Sequence, residues 1–358
     1  MNTSLGACLI LLCSATLCAA QGFAGLGQSA DAFGEVVPDR ALVFPADHGP
    51  HEDFRIEWWY LTAVLEDDEG HPMGLQWTLF RQANRPGGPR DGWQSAQTWM
   101  GHAAITTRDR HLVAETFARG GIGQAGAIAS PFRAWIDDWH LTAPTDPAPS
   151  ATADALDQLT VAAAGDGFSY DLSLTAEGPL TPQGRGGYSV KSQDGQASYY
   201  YSQPFYRAQG TVRIGEREIT VTGRAWLDRE WSSQPLASDQ TGWDWFALHL
   251  PGGGKMMAFR LRSDRGDYLQ GSWIDPDGTV TPLYTDEVRL TPLSNADVAG
   301  REIPVEWRIE VPGRGVDVTT QALNPQAFMT TAFPYWEGPI AFDGTHKGRG
   351  YLEMTGYE

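Results

Sequence analysis

The sequence predicts an all-β protein built as two antiparallel β-barrels. Three observations carry that reading. Gly and Pro, 41 and 23 of the 358 residues, interrupt the chain so often that no long helix fits between them. Between the interruptions run segments rich in aromatic and β-branched residues with the period of two that belongs to strands. Finally, Glu57-Trp58-Trp59-Tyr60, an acidic turn ending at Gly70, then Met73, Phe80 and Arg81, recurs as Asp244-Trp245-Phe246, a turn at Gly252 to Gly254, then Met256, Phe259 and Arg260. Each copy opens a run the size of an up-and-down barrel, which divides the chain into units 41–235 and 236–358.

Composition bounds the rest. With 41 % apolar and 11 % aromatic residues the chain can fill two cores. A net charge of -18 argues against nucleic acid and anionic membrane surfaces, both of which need clustered Lys and Arg. Residues 1–20, uncharged and apolar from Leu5 to Ala20, are too short to span a bilayer and suit a signal peptide cleaved after Ala20. Cys8, Cys13 and Cys18 all lie in that leader, so the mature chain would hold no disulfide, cysteine nucleophile or thiolate metal site. The expected location is periplasmic or secreted.

Taken in order, 21–40 is rich in Gly and Ala and reads as a flexible arm. A polar loop from Asp47 to Asp53 leads into a strand at 55–65, which the Glu66 to Gly70 turn folds back into a second at 74–82. Strands follow at 97–106, 111–118, 132–135, 139–142, 156–164 and 169–176, with a Pro- and Ala-rich loop at 144–153. Segments 187–191 and 197–202 flank a turn at Asp194-Gly195, and 210–214 with 218–226 makes another hairpin. The second unit opens on a strand at 243–250 and continues with strands near 268–274, 288–291, 305–311, 317–321, 336–342 and 348–354.

The densest chemistry lies between Gly223 and Arg262, where Trp226, Trp231, Trp243 and Trp245 stand among Asp228, Glu230, Asp239 and Asp244. Alternation places Trp226, Asp228 and Glu230 on one strand face, and Trp243, Trp245, Ala247 and His249 on another. An unpaired buried carboxylate must find a partner or take up a proton. Asp228 and Glu230 are therefore either a catalytic pair in a cavity, one of them a neutral general acid, or ion-pair partners of Arg224, Arg229, Arg260 or Arg262. Glu57 beside Trp58 and Trp59, Glu337 beside Trp336, and Tyr200 in the Tyr199-Tyr200-Tyr201 run complete the candidate binding set. Trp58 and Trp59 also have a plainer reading as plugs of a barrel end.

Other patterns point nowhere further. His48 and His51 match no common zinc spacing, and His102 and His249 read as hydrogen-bonded core residues. Gly121 to Gly126 has the letters of a dinucleotide fingerprint, but Pro131 follows too soon for the helix that motif needs. Ser189 and Lys191 lack a nucleophile elbow. No metal or cofactor is expected.

The combination of Asp47-His48-Gly49, Glu57-Trp58-Trp59-Tyr60, Gln76 with Phe80-Arg81, Ala197 to Ser202, Trp226-Leu227-Asp228-Arg229-Glu230-Trp231-Ser232-Ser233 and Gly242-Trp243-Asp244-Trp245-Phe246 resembles the bacterial AttH-type lipocalin-like family. The resemblance covers about Phe44 to Tyr357. That family is grouped with carotenoid 1,2-hydratases (hydroxyneurosporene synthases) and labelled as secreted hydrolases. The resemblance implies two lipocalin-like barrels and, in the hydratase branch, water addition across an isolated double bond of an acyclic carotenoid. That branch is richer in histidine where this chain has Asp228-Arg229-Glu230. AttH-type members are associated with lipoprotein-export operons.

Three functions follow as expectations. One is a barrel cavity binding an isoprenoid or lipid, walled by Trp58, Trp59, Tyr200, Trp226, Trp243 and Trp245. A second is a hydro-lyase using Asp228 or Glu230 in that cavity. The third is a non-enzymatic accessory of an envelope ABC-type transport complex, with the inter-barrel seam as its surface.

Overall fold

The computed structural model describes Leu26, residues 30–146 and residues 154–357; the leader, its cleavage point and most of the Pro- and Ala-rich loop lie outside them. Among the described residues helix is confined to short 3-10 turns. A thirteen-stranded antiparallel sheet runs from Ile56 to Ser232 and a ten-stranded one from Gln240 to Thr355. Each curls into a nearly closed barrel, the lipocalin-like architecture expected.

The first hairpin is Ile56–Asp67 paired with Pro72–Ala83, turning where Gly70 takes a φ of 82° that other residues resist. The pieces read at 197–202 and 210–214 are one strand, Ala197–Ile214, which bulges between Gln203 and Tyr206 around Pro204. Its partner Arg217–Ser232 runs on past Trp226 and carries Asp228 and Glu230 into register with Ile56–Asp67. A strand at Ala125–Ala129 takes up the end of the glycine stretch, and Thr181–Pro182, Val280–Leu283 and Phe328–Met329 are too brief for a period to be read.

Among the described residues strand parity sorts the side chains into three large cores and a small fourth cluster at Ala104, Met329 and Tyr335. Trp59, Leu61, Trp77, Tyr201, Leu227 and Trp231 point inward and fill the first barrel. Phe246, Leu248, Trp307, Trp336 and Leu352 fill the second. From the outer faces, Tyr60, Val64, Tyr200 and Trp226 meet Trp245, Met257, Phe259 and Tyr351 in a third cluster between the barrels. Side chains thus occupy both lumens, and the pocket expected inside a barrel lies between the barrels.

The barrels pack closely at Gly74, where an added Cβ would lie 2.5 Å from Pro339 Cγ. Only glycine allows that approach. The stretch expected to be a flexible arm is pinned to the first barrel over 30–40. The Val37 amide donates to the Tyr199 hydroxyl at 2.9 Å, and Arg40 reaches Asp47 at 2.7 Å while lying over the Tyr199 ring.

Candidate active site

A partly open pocket with a cavity volume of about 90 Å³ lies in the seam. Register builds its first wall. Trp58 stands opposite Glu230 and Tyr60 opposite Asp228, while Tyr200 and Ser202 flank the same two acids from the next strand. Directly opposed residues share a face, so all six side chains turn outward to the seam. The second barrel contributes Trp243, Trp245, Phe259, Leu261 and Glu353.

Asp228 is 3 % exposed. One carboxyl oxygen accepts from the Tyr200 hydroxyl at 2.6 Å; the other accepts from the Trp226 indole at 2.6 Å and from the Ser202 hydroxyl. Burial outweighs these donors and, with Glu230 nearby, pushes the carboxyl up to about 7. Glu353, from the opposite wall, is also pushed up to about 7. Burial is again the main cause, the Asp228 and Glu230 charges add to it, and the Trp243 indole donor (2.5 Å) and the neighbouring Tyr60 hydroxyl oppose it.

Glu230 differs. It pairs with Lys191 Nζ at 2.9 Å and accepts from Ser198, and the ammonium lies 4.8 and 4.4 Å from the Tyr200 and Phe259 ring centres. It therefore anchors a cation in the wall, whereas Asp228 and Glu353 are the acids with both protonation states in reach near neutral pH. Three of the arginines weighed as partners of Asp228 are engaged elsewhere: Arg229 by Glu57, Arg260 and Arg262 by Asp244.

Of the predicted residues, Trp58, Tyr200, Asp228, Glu230, Trp243 and Trp245 line the pocket. Trp226 lies behind Asp228, with His249 edge-on to its ring at 6.3 Å. Burial, with Lys255 and Arg224 nearby, pushes His249 down to about 3. Glu337 sits a layer further back, accepting from the Tyr60 hydroxyl at 2.6 Å.

The other five lie elsewhere. Glu57, Trp59 and Trp231 face the first barrel's interior. There Glu57 is held by Arg81, by Arg229 at 3.1 Å and by His51 at 3.0 Å, while Arg229 covers Trp59 and His51 stacks on Trp231, each at 3.8 Å. Arg260 and Arg262 clamp Asp244 at 2.8 and 2.6 Å, and Trp336 is buried in the second core, donating to the Pro325 carbonyl at 2.8 Å. Contrary to expectation these five do not line the seam pocket, because parity sends neighbours such as Glu57 and Trp58 to opposite faces.

His48 bonds Tyr201 at 2.7 Å, and among the described residues no three His, Cys, Asp or Glu side chains converge as a metal site. Sequence reasoning missed Glu353, Tyr60 and the role of Lys191. The available signal for Glu353 was a single acid in an otherwise apolar terminal run, Tyr351-Leu352-Glu353-Met354.

Residues 35–357 match the family model described as AttH-like. An AttH protein of known structure from Nitrosomonas europaea is 32 % identical, with a TM-score of 0.79 over 91 % of this chain and 99 % of that one. Kievitone hydratase from Nectria haematococca is 14 % identical with a TM-score of 0.64, covering 91 % of this chain and 97 % of its own, a likeness of fold. The dehydratase asqC of Emericella nidulans is 21 % identical over 203 residues, 51 % of this chain, which spans 54 % of that protein's length. Matched along nearly its whole length, this chain belongs to the AttH-like family.

Proposed function

We propose that the protein is an exported hydro-lyase whose seam pocket takes the reacting end of a long apolar substrate, such as an isoprenoid, and adds or removes water there. The observation that carries this reading is the pair of carboxyls, Asp228 and Glu353, rising from opposite walls with both protonation states accessible near neutral pH. In the hydration direction neutral Asp228 gives its proton to the alkene, and the Tyr200, Ser202 and Trp226 donors stabilise the carboxylate it leaves. The cation formed rests against Trp58, Trp243 and Trp245, where each favourable ring contact contributes about 2 kcal/mol once water is excluded. Ionised Glu353 then takes a proton from the attacking water. A cavity of about 90 Å³ admits only a few carbon atoms, so the rest of a longer chain would lie outside it. The apolar leader supports export to the periplasm.

A second reading draws on the filled barrels, which suit a non-enzymatic accessory of an envelope transporter better than a ligand carrier. The two part in one experiment. Purified protein is incubated with squalene and acyclic carotenoids in oxygen-18 water, after lipid extraction and native mass spectrometry to identify any co-purifying ligand. Incorporation of oxygen-18 into product supports the hydro-lyase. A ligand-free protein that incorporates nothing leaves the accessory role.

A further inference from the structure

The pocket continues outside its mouth as a row of apolar side chains. Trp58 and Phe80, which line it, stand opposite one another on the first hairpin. The register carries the same line onward. Phe80 faces Met100 on strand Gln97–Thr106, and Met100 faces Phe117 on strand His111–Arg119, which ends the sheet. Directly opposed residues share a face, so all four side chains project from the outside of the first barrel, away from the core that holds Trp59, Leu79, Trp99 and Ala118. Trp58, Phe80 and Met100 are half-buried, and Phe117 is 49 % exposed. Three strand spacings make the row about 14 Å long.

Polar rows border it on both sides. On one side Gln82, Thr98 and Arg119 face one another in turn across the same strands. On the other are Thr78, His102 and Glu115, and here the second barrel closes in. Tyr335 bonds His102 at 2.9 Å and the Ala332 amide donates to Glu115 at 2.9 Å, which brings the segment holding Ala332 alongside the row. Phe80 is edge-on to His102 at 5.3 Å, so the floor nearest the pocket is fixed in place.

We infer that Trp58, Phe80, Met100 and Phe117 form a track for the extended remainder of a linear apolar ligand whose end occupies the pocket. The cavity, at about 90 Å³, holds only a few carbons, and the track is the apolar surface continuous with it. The row is one side chain wide, about 7 Å, which suits a single extended chain and not a fused-ring system. Solvated ends of the ligand would lie beyond Phe117, next to Arg119. The inference rests on the pocket's being a ligand site and does not require that water be added there, so its test reads binding alone.

The probes are geraniol, farnesol and geranylgeraniol, which differ by one five-carbon unit each, titrated into the full-length protein by tryptophan fluorescence. In wild type the affinity should rise on the order of tenfold per unit, since each unit lays apolar surface on the row. Met100→Ser and Phe117→Ser should each weaken geranylgeraniol binding roughly tenfold while changing geraniol binding less than about twofold. Leu293→Ser, which removes an exposed apolar side chain from the second barrel, should change none of the three. Equal affinity for the three alcohols in wild type would overturn the track while leaving the pocket as a ligand site. So would the same dependence on length in wild type, Met100→Ser and Phe117→Ser. Loss of a dimer in Phe117→Ser, with that dependence intact, would assign the row to a contact between copies and overturn it too. Failure of all three alcohols to bind would remove track and ligand pocket together, whatever the oxygen-18 experiment gives.

Discussion

In the proposed reaction two carboxyls on facing walls carry the chemistry, and they can be separated from mere structure one side chain at a time. Asp228→Asn cannot deliver a proton, so turnover should fall by about 10²–10⁴-fold, with ligand affinity in a tryptophan-fluorescence titration little changed. The same acids give stability an unusual pH dependence. Asp228 and Glu353 are raised from 3.8 and 4.5 to about 7, so the stabilisation they contribute is complete below pH 4 and lost as pH rises through 7. Glu57 and Asp47 are held well below the ordinary range by Arg81, Arg229, Arg40 and His51, and their contribution is lost only on acidification below that range. The buried His249, His111 and His102 are pushed down and act in the opposite sense between pH 5 and 7, so the readout is the difference between variants: in denaturant unfolding Asp228→Asn should make the slope of stability against pH more positive by about one proton's worth. An unchanged slope would mean that Asp228 ionises as an ordinary carboxylate.

The hairpin is the element that repeats. Glu57 faces Arg81 and Trp58 faces Phe80; in the second copy Asp244 faces Arg260 and Trp245 faces Phe259. Each hairpin thus places an ion pair inside its barrel and a Trp–Phe pair on the pocket wall. Glu57→Gln leaves Arg81 and Arg229 buried without a counter-charge and should cost about 3–5 kcal/mol in urea unfolding. An effect under about 1 kcal/mol would show that the pair is well hydrated. This repeat explains what was legible. Alternation within one strand is local, so Trp226, Asp228 and Glu230 could be placed on one face from the sequence. Which face of 55–65 meets the other barrel is not local, and Glu57 and Trp59 were assigned to the site for that reason. Glu353 acquires its role only through pairing with Trp245, a register between segments more than a hundred residues apart.

Across the whole molecule, two filled barrels leave an apolar pocket in the seam between them. Gly74 against Pro339 is one of the points where they pack closely. Gly74→Val should wedge the seam open, weakening ligand binding by more than it lowers the unfolding midpoint. Equal losses would mean a general packing defect. The central claim, that the seam is a hydration site run by Asp228 and Glu353, is tested most directly by oxygen-18 incorporation into one substrate by wild type, Asp228→Asn and Glu353→Gln, with binding of that substrate measured alongside. The account predicts label in the wild-type product, about a hundredfold less or lower in either variant, and comparable binding by all three. Undiminished incorporation by both variants would contradict it.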